Sequence, residues 1–130
     1  MKLRKEDIQS ISEESLQLFY QGIKSPVTKE KYTRTLRRIL CDVLEDILTG
    51  TFEERASQFV NKSKNDPAWA MGVLLSISKK MRDRTELQST DKDYLSPNFF
   101  SRYFKPIKKL LYMNEVPIAW KRVYLCNSKT

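Results

Sequence analysis

Between residues 28 and 48, Tyr32, Leu36, Ile39, Leu40, Val43, Leu44 and Ile47 recur at intervals of three and four. That spacing lines them up along one side of an α-helix and is wrong for a strand, whose side chains alternate between faces. The same period returns in segment after segment, and no stretch alternates convincingly with period two. With 3 Gly and 5 Pro in 130 residues, the chain also lacks the turn residues of a sandwich or barrel. The expected fold is all-α: one domain over residues 1–130, a compact bundle of four or five helices with its helical core over about 10–125.

The pattern predicts a first helix over 10–22, with Ile11, Leu16, Phe19, Tyr20 and Ile23 inward and Ser12 as a candidate cap. The second spans 28–48, capped by Thr28 and stopped by Gly50. A third covers 52–62 with Phe52, Ala56, Phe59 and Val60 inward. After a polar break, Pro67 opens a fourth over 67–84, carrying Ala70, Val73, Leu74, Ile77 and Met81, with Trp69 as a core anchor. Ser96-Pro97 starts a fifth over 97–113, with Phe100, Tyr103, Phe104, Ile107 and Leu111 as its stripe. Pro106 should kink or interrupt that helix near Arg102, whose carbonyl loses its partner. A last turn or two is expected over 118–124.

Charge narrows the function. The chain carries 24 Lys and Arg against 16 Asp and Glu, a net +8, and residues 91–130 alone hold eight basic and three acidic groups. A local excess of this kind points to a polyanionic partner, most often nucleic acid. In the second helix the basic residues Lys29, Lys31, Arg34, Arg37 and Arg38 precede Asp42, Glu45 and Asp46, the reverse of what the helix dipole favours. Lys31, Arg34 and Arg38 fall opposite the apolar stripe. Thr28, Lys29 and Thr35 join them as candidate phosphate contacts at the helix start. The fifth helix adds Arg102, Lys105, Lys108 and Lys109 with no acidic neighbour between Ser96 and Asn114. Lys79 and Lys80 on the fourth are weaker candidates, because a cation near a helix C-terminus is already favoured by the dipole.

Enzyme chemistry is hard to place. There is no His, which removes His-based triads and His metal sites, and three glycines cannot build a phosphate loop. Glu13-Glu14 and Glu53-Glu54 sit at helix starts, where the dipole explains them. Cys41 and Cys126 are too few for a zinc site; Cys41 reads as a small buried hydrophobe. No cofactor, metal or small-molecule substrate is expected. Met1–Ser10 lacks the apolar run of a signal peptide and no stretch is apolar enough to span a bilayer, so a cytoplasmic protein without a membrane partner is expected.

Ser25-Pro26-Val27-Thr28-Lys29-Glu30-Lys31-Tyr32 has the form S-P-x-T-x-x-x-Y ahead of a long amphipathic helix. It resembles the N-terminal core-binding domain of tyrosine recombinases, the phage-integrase family. Arg82-Asp83-Arg84-Thr85-Glu86-Leu87, Phe104-Lys105-Pro106-Ile107-Lys108-Lys109-Leu110-Leu111, Met113-Asn114-Glu115 and Trp120-Lys121-Arg122-Val123-Tyr124 resemble archaeal integrase-like members in particular. The resemblance covers roughly residues 10–125. It implies a SAM-like bundle that clamps double-stranded DNA, with the second and fourth helices near the major groove. Strand exchange would belong to a separate catalytic domain or to other recombinase protomers. Tyr124 precedes the position of that domain and is not a candidate nucleophile. The expected role is therefore a non-catalytic DNA-binding module, a free-standing or truncated relative of integrases. Two alternatives stay open. One is a helix-turn-helix regulator, which the break at Asn61–Asp66 fits poorly because it is long. The other is a helical interaction domain with an acidic protein partner.

Overall fold

The computed structural model describes residues 1, 2, 4, 14–96 and 99–126, the last including 99, 100, 125 and 126 as backbone only. The chain is all-α, with no strand among the described residues. Helix α1 is Ser15–Gln21, α2 Pro26–Arg38, α3 Phe52–Asn65, α4 Pro67–Thr85, α5 Phe99–Met113 and α6 Trp120–Cys126. A π-helical segment, Ile39–Val43, continues α2. Helix α1 packs on α3 and α5, α2 on α5, α3 on α4, and α4 on α6.

Most of the expected core is present. Leu16, Phe19, Leu36, Ile39, Leu40, Ala56, Phe59, Leu74, Phe104, Ile107 and Leu111 are all essentially closed to solvent. Tyr20, Ile23, Tyr32, Val73 and Tyr103 pack against them while half-buried. Trp69 is also half-buried, its ring 5.8 Å from that of Phe59. Cys41 is half-buried rather than buried. The expectations for Ile11, Ser12, Pro97 and the side chains of Phe100 and Cys126 lie outside the described residues.

Four boundaries differ from the sequence reading. Helix α1 is capped by Glu14, whose carboxylate accepts from the N–H groups of Leu16 and Gln17, both at 3.3 Å. Helix α2 begins at Pro26, capped by Ser25, because proline suits a first helical position and the Ser25 hydroxyl accepts the Thr28 N–H at 3.4 Å. Helix α3 runs on to Asn65, so the break before α4 is Asp66 alone, whose carboxylate caps α4 through the Trp69 N–H at 3.1 Å. Pro106 interrupts nothing: α5 continues through it, and the carbonyl that loses its N–H partner belongs to Arg102, an exposed residue.

The largest departure follows α2. The Leu44 N–H donates to the Ile39 carbonyl at 2.9 Å, a bond spanning five residues instead of four. One extra residue in a turn sets the following side chains back by about 100°. Leu44 and Leu48 therefore enter the core, while Val43 and Ile47, expected inward, are 47% and 44% exposed. The wider turn is bracketed by Arg55, which donates to the Leu40 carbonyl at 3.1 Å and to the Gly50 carbonyl at 2.9 Å. Gly50, at φ 97°, then turns the chain into the Thr51–Glu54 capping box of α3.

Two buried polar side chains tie distant elements together. The Asn114 amide donates to the Ser15 carbonyl at 3.1 Å and to the Leu110 carbonyl at 2.8 Å. The Ser78 hydroxyl donates to the Val123 carbonyl at 3.2 Å, joining α4 to α6. Asn114→Ala removes two buried bonds and is expected to cost about 1–3 kcal/mol. Phe104→Ala, at a fully buried ring, is expected to cost about 3–5 kcal/mol, and Tyr32→Ala less because Tyr32 is half-buried. Urea unfolding midpoints measure all three, and equal losses at Tyr32 and Phe104 would contradict this packing.

Candidate nucleic-acid interface

Helix α5 buries Phe104, Pro106, Ile107, Leu110 and Leu111, so its remaining side faces solvent. Arg102 and Lys105 are exposed there, and Lys109 is half-buried. A side chain at Gly22 would meet the Lys109 stem at 3.0 Å, so Lys109 runs along the α1–α2 junction. Arg102, seven residues earlier, shares its side of the helix.

Helix α2 buries Leu36 and half-buries Tyr32, which sends Lys31, Arg34 and Arg38 outward. Lys31, Thr35 and Arg38 follow one line at intervals of four and three, continued by Asp42. This line borders α5, because Arg38 and Asp42 both act electrostatically on Tyr103 of that helix. Lys31, Thr35 and Arg38 of α2 thus share a surface with Arg102, Lys105 and Lys109 of α5. Helix α5 contributes no acidic residue, and the one acidic residue of α2, Glu30, pairs with Arg34 at 2.9 Å.

Other candidates stand apart. Lys29 points to the opposite flank of α2, its ammonium 4.6 Å from the centre of the Tyr20 ring. With Tyr20, Glu30, Thr33, Arg34 and Arg37 it lines a shallow concavity of about 490 Å³. Lys108 lies toward α6, at 5.9 Å from the Trp120 ring and 5.4 Å from that of Tyr124. Lys79 is exposed on the outer side of α4, and Lys80 lines a separate groove. Thr28 does not cap α2. Its N–H is taken by Ser25, the Lys29 N–H by the Ser25 carbonyl at 2.9 Å, and Pro26 has none, so this helix start offers fewer donors to a phosphate than the sequence suggested.

Two cations gain weight from the structure. Arg37, 4.9 Å from the Phe52 ring, belongs to the Lys29 flank, a placement its spacing from Lys29 and Thr33 encodes. Arg84 lies near Tyr103 and donates to the Asp93 carbonyl at 2.7 Å, holding the 86–96 connection. No sequence spacing links those three residues.

No group of acidic and Cys side chains among the described residues is arranged to hold a metal ion, and no described helix is long and apolar enough to cross a membrane. No protein-family model matches the chain, and no curated protein and no solved structure matches it.

Burial raises the Tyr103 phenol above its ordinary value of 10.0, an effect that Arg84 and Arg38 reduce. A proton held more tightly in the folded than in the unfolded chain stabilises the fold below the unfolded value and stops doing so above the folded one. Stability is therefore expected to fall as the pH rises past about 10, and Tyr103→Phe should flatten that decline. Thermal midpoints from pH 8 to 11 measure it, and equal slopes for both proteins would contradict the assignment.

Proposed function

We propose that this chain is a duplex-DNA-binding module that acts through the joint face of α2 and α5 and has no catalytic role of its own. The observation that carries the reading is the packing of α2 on α5. It brings Lys31, Thr35 and Arg38 alongside Arg102, Lys105 and Lys109, with Asp42 only at the far end. Cations spread over two adjacent helices suit a phosphate backbone, whose charges are spread along a line. A compact reactive centre would need convergent groups instead.

The integrase resemblance agrees with this reading, and a SAM-like core-binding domain is the fold we propose within the all-α class. Its function would be to hold DNA for a catalytic domain or protomer that performs recombination. A helix-turn-helix regulator is less favoured: α3 and α4 are joined by Asp66 alone, and α4 opens with Pro67 and Ala68 rather than polar reading side chains.

Binding to a labelled duplex of about 30 base pairs should weaken steeply with salt, and each phosphate contact removed should flatten the log–log slope by about 0.9. Lys31→Ala, Arg38→Ala and Lys105→Ala together should therefore lower the slope by nearly three while the unfolding midpoint stays within a few degrees, since each side chain is exposed. Lys79→Ala should change neither. Fluorescence anisotropy across a salt series measures this, and absence of binding at low salt would refute the reading.

A further inference from the structure

A groove of about 590 Å³ lies between the π-helical segment and α4, and its Tyr103 end adjoins the Arg38 end of the α2–α5 surface. Val43, Leu44 and Ile47 form one lip. Along α4 the lining passes from Trp69, Gly72 and Val73 through Ser76 and Ile77 to Lys80, Met81 and Arg84, with Leu95 and Tyr103 closing that end. The α4 lining is thus uncharged at its start and carries two cations, one turn apart, at its finish. Gly72 and Arg84 are twelve residues apart, about 18 Å at helical rise. The volume falls within the ~300–1,000 Å³ of small-molecule sites.

The charge at the closed end has a definite sign. Asp42, next to Val43 on the opposite lip, is not part of the lining. Lys80 and Arg84 are the charged side chains of the lining, and both are cations. The remaining acidic residues of that lip, Glu45 and Asp46, are exposed. The exposed apolar surface of Val43 and Ile47 remains uncompensated in the isolated chain, and covering it would stabilise whatever lies there.

We infer that this groove binds a small amphiphilic anion, a single apolar chain or ring system carrying one acidic group. Its apolar body lies against Trp69, Val73, Ile77 and Ile47, and its acid meets Lys80 and Arg84. Neither the apolar lining nor the cationic end is required by the DNA-binding reading, so the two stand or fall separately.

The test uses dodecanoate as probe, below its micellar concentration, with titration calorimetry and methyl NMR of Val43, Val73, Ile77 and Leu95. Saturable one-to-one binding that shifts these methyls is expected. Dodecanol and dodecyltrimethylammonium should bind at least about tenfold more weakly, the scale of one lost charge-assisted contact. A Cβ at Gly72 meets nothing within 4 Å and Gly72 lines the groove, so Gly72→Leu starts an isobutyl group from open space there and raises helix propensity. It should cut dodecanoate affinity by at least about tenfold at an unchanged or higher thermal midpoint. Lys80→Glu should weaken dodecanoate and not the ammonium. Equal binding of the three amphiphiles, undiminished binding to the folded Gly72→Leu protein, or no saturable binding, as for a groove made for a partner helix, would each overturn the proposal.

Discussion

The apolar face of α5 is the constraint on which the rest of the bundle depends. Phe104, Ile107, Leu110 and Leu111 are wholly buried, and the helix that carries them touches both α1 and α2. On its other flank the Phe104 ring lies 6.4 Å from Trp120 of α6. An amphipathic helix that buries so wide a face has no freedom in where it shows its charges. Arg102 and Lys105 are exposed because their neighbours cannot be. The same packing that stabilises the core therefore assembles the cationic surface, and α2, which buries Leu36 against the same core, is held beside it.

Cations that look alike in the sequence have different surroundings. Lys29, Arg37, Lys62 and Lys108 lie over aromatic rings at 4.6–5.9 Å. Arg55 and Arg84 satisfy backbone carbonyls that the turns leave open. A net charge of +8 accordingly overstates what is presented to a partner. Lys31, Arg38, Arg102 and Lys105 face outward without such an internal role, as do Lys79, Lys121 and Arg122 elsewhere, and what sets the first four apart is that the packing of α2 on α5 groups them.

Most of the helices and much of the core were legible because period and capping act locally. Ala56, Phe59, Leu74 and Phe104 are where their spacing puts them, and Pro67 opens a helix as its chemistry dictates. What escaped was non-local. The π-helical turn at Ile39–Val43 leaves Leu44 inward but turns Val43 and Ile47 outward and brings Leu48 in, and no feature of a uniform three-four repeat announces the extra residue. Asn114 reads as a polar residue at a helix end, yet its amide is enclosed because Ser15 lies across from it. The cationic surface was half legible. The outward residues of each helix follow from its own wheel, but the placement of Lys108 toward α6, and of Arg38 and Arg84 around Tyr103, depends on which helices become neighbours.

The Asn114–Ser15 bond spans 99 residues, and the chain is synthesised in one direction. The first described helix leaves the ribosome before every element it packs on. It can meet α3 early, but its other side waits until α5 has been made. During that interval Leu16 and Phe19 are exposed to whatever chaperone or aggregating neighbour is at hand. Leu16 and Phe19 are therefore covered completely only once the late helix has reached the early one.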